Sequence, residues 1–250
     1  MTDMTTDSQR RLLAAQVAVL DQIDKENAPP PVPVIPAPVP PPANAYTPTQ
    51  ARAFLDKCGL AEVTDLHQAT LRFQESYVLG PFKNAAGVVI GDVLAEDGDF
   101  GEKTTAAAKV SEANPDPKTG IYRVSPHFTL AEFKCKNPNH SPDCLRTRAR
   151  RRLLIGMEKY REKRAAAGLG TGVGVLSGYR DIAWNAAKNG KPGSQHLLGL
   201  AFDPTIQNVP RDMFLSWNIP ELCGVGYNSD DKKTISHLDG RPAPRVTFVD

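Results

Sequence analysis

No stretch of about 18 consecutive apolar residues occurs in this chain, so the sequence contains no candidate transmembrane helix. No secretory leader is expected either. Residues 1–27 start acidic, carry no basic n-region, are broken by Gln16 and Asp21, and are followed by no clean cleavage site. Export through a visible Sec signal is therefore not expected. Aromatic residues make up only 7% of the chain, and net charge is only +2. The one strongly basic helical stretch, residues 147–167, shows neither a nucleic-acid-binding motif nor aromatic interleaving, which argues against a nucleic-acid partner.

Proline is plentiful, at 22 residues, and it clusters. Residues 27–45 form a proline-rich linker, expected to be an extended polyproline II spacer rising about 3.1 Å per residue. Ahead of it, residues 1–26 read as an amphipathic helix with Leu13, Val17, Leu20 and Ile23 on one stripe. That helix either docks on a partner, self-associates or folds back, or it is a frayed leader. Residues 46–115 are predicted to be a small helical domain. A second linker, NPDPKT, precedes the last segment, residues 121–250. Charge is divided unevenly. Residues 1–120 hold 10 basic and 16 acidic residues, and residues 121–250 hold 20 and 12.

The most informative stretch is GSQHLLGLAFD, residues 193–203, answered by SHLD at residues 236–239. His196, Asp203 and His237 are two imidazoles and one carboxylate. Together they fill three corners of a tetrahedron around zinc and leave the fourth for water, the pattern of a catalytic site. Neutral imidazole is the commonest nitrogen ligand, and zinc brings the pKa of bound water from about 15.7 to near 7. The seven-residue gap between His196 and Asp203 does not fit one helix face. His196 is expected at a loop end, with GLAFD on a strand that turns Asp203 inward. The chain has only five histidines.

SQHLLGLAFD matches the Ser-x-His-x-x-Gly-x-Ala-x-Asp signature of the zinc D-alanyl-D-alanine carboxypeptidase family, the LAS-type metallopeptidases. Three other segments are similar to that family in the same order: SPHFTLAEFKC, VLSGYRDIAWNAAKNGKPGSQHL and GVGYNSDDKKTISHLDGRP. The match covers roughly residues 124–248. The resemblance implies an α+β fold in which a small antiparallel sheet and helices hold a zinc ion, and an enzyme that cleaves peptide bonds in bacterial peptidoglycan. It carries the zinc ligands onto His196, Asp203 and His237. The arginine that binds substrate and transition state falls on Arg180, with Ser194 and Tyr179 as further substrate contacts.

The sequence departs from the family at one point. Many members place a carboxylate three residues before the last histidine, where this chain has Thr234. Asp239 leaves the same strand face as His237, and it is expected to be either the acid/base or a supporting carboxylate, unless it only begins the turn at DGRP. The segment AEDGDFGEKTTAAAKVSEA resembles the turn and helix of peptidoglycan-binding three-helix modules. Its Phe-Gln signature, however, precedes the turn as RFQ, at residues 72–74.

Without a Sec signal, such an enzyme is expected in a phage setting: a lysin made in the host cytoplasm and released to the wall, or a virion-associated lysin held to tail or baseplate proteins through residues 1–26. The alternative is a virion structural or wall-binding protein with a peptidase-like fold. Cysteines number four. Cys135 and Cys144 bracket His140 in CKNPNHSPDC, where a disulfide, a second metal or free thiols all remain open. Cys58 and Cys223 read as small core residues, and His67 and His127 as structural ones.

Overall fold

Thr47 and Gln50 exchange side-chain and backbone hydrogen bonds in a capping box, and Pro48 follows at the first helical position. This starts helix α1 (Pro48–Leu55) of a computed structural model that describes residues 45–84, 86–140, 146–228 and 233–249. The N-terminal helix, the proline-rich linker and Cys144 lie outside the described residues. Helix α2 (Leu66–Ser76) is capped by Asp65, whose side chain accepts from Gln68 N–H. After a short hairpin of β1 (Phe82–Lys83) and β2 (Val89–Gly91), helix α3 (Glu102–Glu112) completes the helical part.

RFQ and the Asp-Gly turn are partners in space. The Gln74 amide, 1% exposed, donates to Asp97 Oδ1 at 2.7 Å, Asp99 O at 3.0 Å and Thr104 Oγ1 at 3.1 Å, and its oxygen accepts from Gly98 N–H at 2.7 Å. Gly98 sits at φ +74°, and a Cβ there would meet the His67 ring. One glutamine therefore satisfies a tight turn and ties α2 to the start of α3.

The remaining chain adds α4 (Arg151–Ala166), β3 (Val175–Ser177), α5 (Ile182–Ala187), β4 (Ala201–Pro204), α6 (Arg211–Ser216), β5 (Gly224–Tyr227), β6 (Ile235–Asp239) and β7 (Val246–Val249). The result is α+β. Its five-stranded sheet runs β3-β4-β6-β5-β7, antiparallel except for the parallel β5–β7 pair.

Register gives the sheet two different faces. Phe202 pairs with Leu238, and Leu238 with Val225; all three are fully buried. Phe202 meets Tyr160 of α4 edge-on at 6.1 Å. Side chains alternate along a strand, so Asp203, His237 and Asp239 stand on the opposite face. There β5 contributes Gly224 opposite Asp239 and Gly226 opposite His237. The GVGY motif is explained by this register: valine faces the core, and glycines make room on the polar face.

The segments expected as separate domains share one hydrophobic core, which runs from Phe54 and Phe73 through Phe133 and Met157 to Leu238. Residues Pro41–Asp250 form one compact unit. A buried charge network crosses between the segments: Glu75, with its side chain 3% exposed, pairs with Arg72 at 2.8 Å and Arg148 at 2.7 Å. Much of the basic stretch around α4 is engaged internally. Arg151 donates to the carbonyls of Gln74, Tyr77 and Leu94. Arg164, 1% exposed, donates to Asn208 and to the carbonyl of Leu169. His127 pairs with Glu158 of α4 at 2.7 Å.

Candidate metal centre

His196 enters the site from a 3-10 turn, Gln195–Leu198, that ends at Gly199 in the left-handed region, φ +67°. A Cβ at Gly199 would lie 2.9 Å from the Arg148 carbonyl oxygen, so only glycine lets the turn close here. Asp203 and His237 arrive from β4 and β6, opposite each other by the register of Phe202 with Leu238. Three donor atoms converge. His196 Nε2 is 3.1 Å from Asp203 Oδ1 and 3.1 Å from His237 Nδ1, and His237 Nδ1 is 3.0 Å from Asp203 Oδ1.

The nitrogens on the far sides determine what these atoms are. His196 Nδ1 faces the Gly178 carbonyl at 2.6 Å, and His237 Nε2 faces Asp239 Oδ2 at 3.1 Å. Both partners accept hydrogen bonds, so each neutral ring carries its proton there and presents a lone pair inward. Two lone pairs and a carboxylate oxygen then crowd one point, an arrangement that calls for a cation at its centre. The triangle edges of 3.0–3.1 Å are close to the roughly 3.3 Å separation of ligands on a tetrahedral zinc with bonds near 2.0 Å. The donor set therefore fits the metal.

Electrostatics agree. Burial alone would raise the Asp203 pKa, but with no ion bound, interaction with protonated imidazole at His196 and His237 holds it well below the usual carboxylate range. Burial pushes His196 down despite Asp203. Burial would also depress His237, yet hydrogen bonds to Asp203 and Asp239 outweigh it and raise the ring to about 9. With no ion bound, a proton on His237 supplies the positive charge.

The other expected site residues have distinct places. Arg180 Nη2 holds Asp203 Oδ2 at 2.5 Å and its Nε donates to Ser177 Oγ at 2.9 Å, so its guanidinium grips the carboxylate that faces the metal position. Ser194 is half-buried and opens the turn that carries His196. Tyr179 is 7% exposed and packs with Cys135 and Trp184. Asp239 is fully buried behind His237, on the ring nitrogen that points away from the three donors. From there its carboxylate orients the imidazole. Arg241 clamps Asp239 in turn, through Nε at 2.8 Å to Oδ1 and Nη2 at 2.5 Å to Oδ2. A Cβ at Gly224 would lie 2.1 Å from both Asp239 oxygens.

Sequence reasoning missed Arg241 and the Gly178 carbonyl. Arg241 was hidden in a segment that reads as a turn, DGRP, and its i+2 spacing from Asp239 was the available signal. A main-chain oxygen leaves no residue-type signal.

A mixed α+β domain with two imidazoles and one carboxylate on a glycine-lined sheet face is the framework of a mononuclear metallohydrolase. Residues 126–234 match the family model described as Peptidase M15. This is a zinc D-alanyl-D-alanine carboxypeptidase-type family, and that stretch of the chain is similar to it. The match takes in His196, Asp203 and Arg180 and stops three residues before His237. No curated protein matches the chain. No helix among the described residues is long and apolar enough to cross a membrane.

Proposed function

We propose that this chain is a zinc-dependent peptidoglycan peptidase, cleaving stem-peptide or cross-link bonds of the bacterial wall as a phage lysin, free or virion-associated. The observation that carries the reading is the convergence of His196 Nε2, His237 Nδ1 and Asp203 Oδ1, all within 3.0–3.1 Å of one another. His196, Asp203 and His237 hold the ion. When bound, zinc supplies a Lewis acid that polarises a peptide carbonyl and lowers the pKa of a coordinated water to near 7.

The protein's own groups do the positioning. The Gly178 carbonyl fixes the His196 tautomer, and Asp239, clamped by Arg241, fixes that of His237. Arg180 occupies Asp203 Oδ2, so Oδ1 faces inward as a single donor. Its cationic edge beside the metal position is suited to a substrate carboxylate or to the charge that develops on the scissile carbonyl. The helical part, with a pocket lined by Tyr46, Leu66, His67, Thr70 and Phe100, holds the enzyme to the polymer and raises its local concentration there.

The test is digestion of purified peptidoglycan followed by mass analysis of the fragments. New amino termini within the stem peptide or its cross-links are expected from the zinc-loaded protein. They should vanish with chelator or with His196→Ala; fragments that persist under both would refute the reading.

A further inference from the structure

Directly after Arg180 in the chain, Asp181 belongs to a second group of metal-type donors. Cys135 Sγ, His140 and a carboxylate oxygen of Asp181 lie within 4.8 Å of one another. Cys135 is 2% exposed, and the side chains of His140 and Asp181 are 11% and 6% exposed. The three come from two separated stretches. Cys135 and His140 belong to the segment after the Leu130–Phe133 turn, and Asp181 caps α5 by accepting from Trp184 N–H at 2.7 Å.

We propose that Cys135, His140 and Asp181 supply three ligands to a second zinc ion, which ties their two stretches of chain together. The chemistry selects zinc: a thiolate and an imidazole beside one carboxylate are too soft for magnesium or calcium and suit a borderline cation. The surroundings are those of a ligand shell. The Asp181 N–H donates to Cys135 Sγ at 3.3 Å. Asn137 Nδ2 reaches Asp181 Oδ2 at 2.8 Å and Oδ1 at 3.1 Å, fixing the carboxylate plane. His140 Nδ1 stands 3.7 Å from Asp181 Oδ2, a separation suited to two ligands of one ion.

Position gives the ion its role. Asp181 directly follows Arg180, which grips Asp203, and Gly178, whose carbonyl holds His196, is two residues further back. An ion at Cys135, His140 and Asp181 fastens the 135–140 segment to this short stretch and so holds two supports of the first centre in place. That buttressing role rests on the metal reading of His196, Asp203 and His237; the second site itself does not.

The experiment uses the full chain, purified under reducing conditions, stripped of metal and reloaded with zinc for metal counting or with cobalt for absorption spectroscopy. The first centre contains no sulfur, so a sulfur-to-cobalt charge-transfer band reports the second site alone. The wild type is expected to hold about two zinc ions per chain and to show that band with cobalt. Cys135→Ser and, more gently, His140→Gln should each lose about one ion and the band. His196→Ala should lose an ion and keep the band. A wild type without the band, or counts unchanged in both Cys135→Ser and His140→Gln, would overturn the proposal. So would intact-mass detection of a Cys135–Cys144 disulfide in chains that carry only one ion. A band that persists while His196→Ala leaves the count unchanged sustains the second site and sinks the first.

Discussion

Asp239 shows how a residue with no access to solvent can govern a site. It is fully buried, its charge is balanced by Arg241, and it meets the centre through the His237 ring. Asp239→Asn should therefore leave the fold intact and weaken zinc affinity by about 10–100-fold, measured by competition with a chromophoric chelator. Gly224→Ala should act in the same direction, because its new methyl would collide with the Asp239 carboxylate. A pH dependence belongs to the same group of residues. The His237 pKa is raised to about 9, so below that pH zinc must displace a proton. Zinc affinity should rise with pH, by about tenfold per unit, and level off above about 9; titrations at a series of pH values check the slope.

Between elements, the buried Glu75 joins α2 to Arg148, just ahead of α4. Burial raises its pKa, but hydrogen bonding and charge from Arg148, then Arg72, pull it below the ordinary value. Such a pair adds little compared with an apolar replacement of both partners, but removing one partner leaves buried charge behind. Glu75→Ala should cost about 3–5 kcal/mol in denaturant unfolding. Because the folded pKa is depressed, the carboxylate's contribution is fully present above the unfolded value. It is lost as pH falls through the folded one, so the difference between wild type and variant should shrink in acid.

Across the whole molecule, the shared core argues for cooperative behaviour. The helical part and the sheet part bury their apolar faces against one continuous set of side chains, including Phe54, Phe133, Leu153 and Leu238. Thermal unfolding of the zinc-loaded chain followed by circular dichroism and by tryptophan fluorescence should give coincident transitions. Two separated transitions would show that the segments 46–115 and 121–250 unfold independently.

The chemistry of the first centre was legible along the chain because its donor types are rare and strand alternation is local. Five histidines and a period of two were enough to nominate His196, Asp203 and His237 and to put Asp239 on the face of His237. Cap and turn residues such as Thr47, Asp65 and Gly98 likewise act within a few positions. Tertiary structure alone decided which nitrogen of each imidazole faces inward, that Arg180 grips Asp203, that Gln74 belongs to a turn more than 20 residues later, and that Asp181 joins Cys135 and His140. These facts depend on pairing and packing between distant segments. Contact across strands and between helices is set by register and shape, which single residues do not encode in their order.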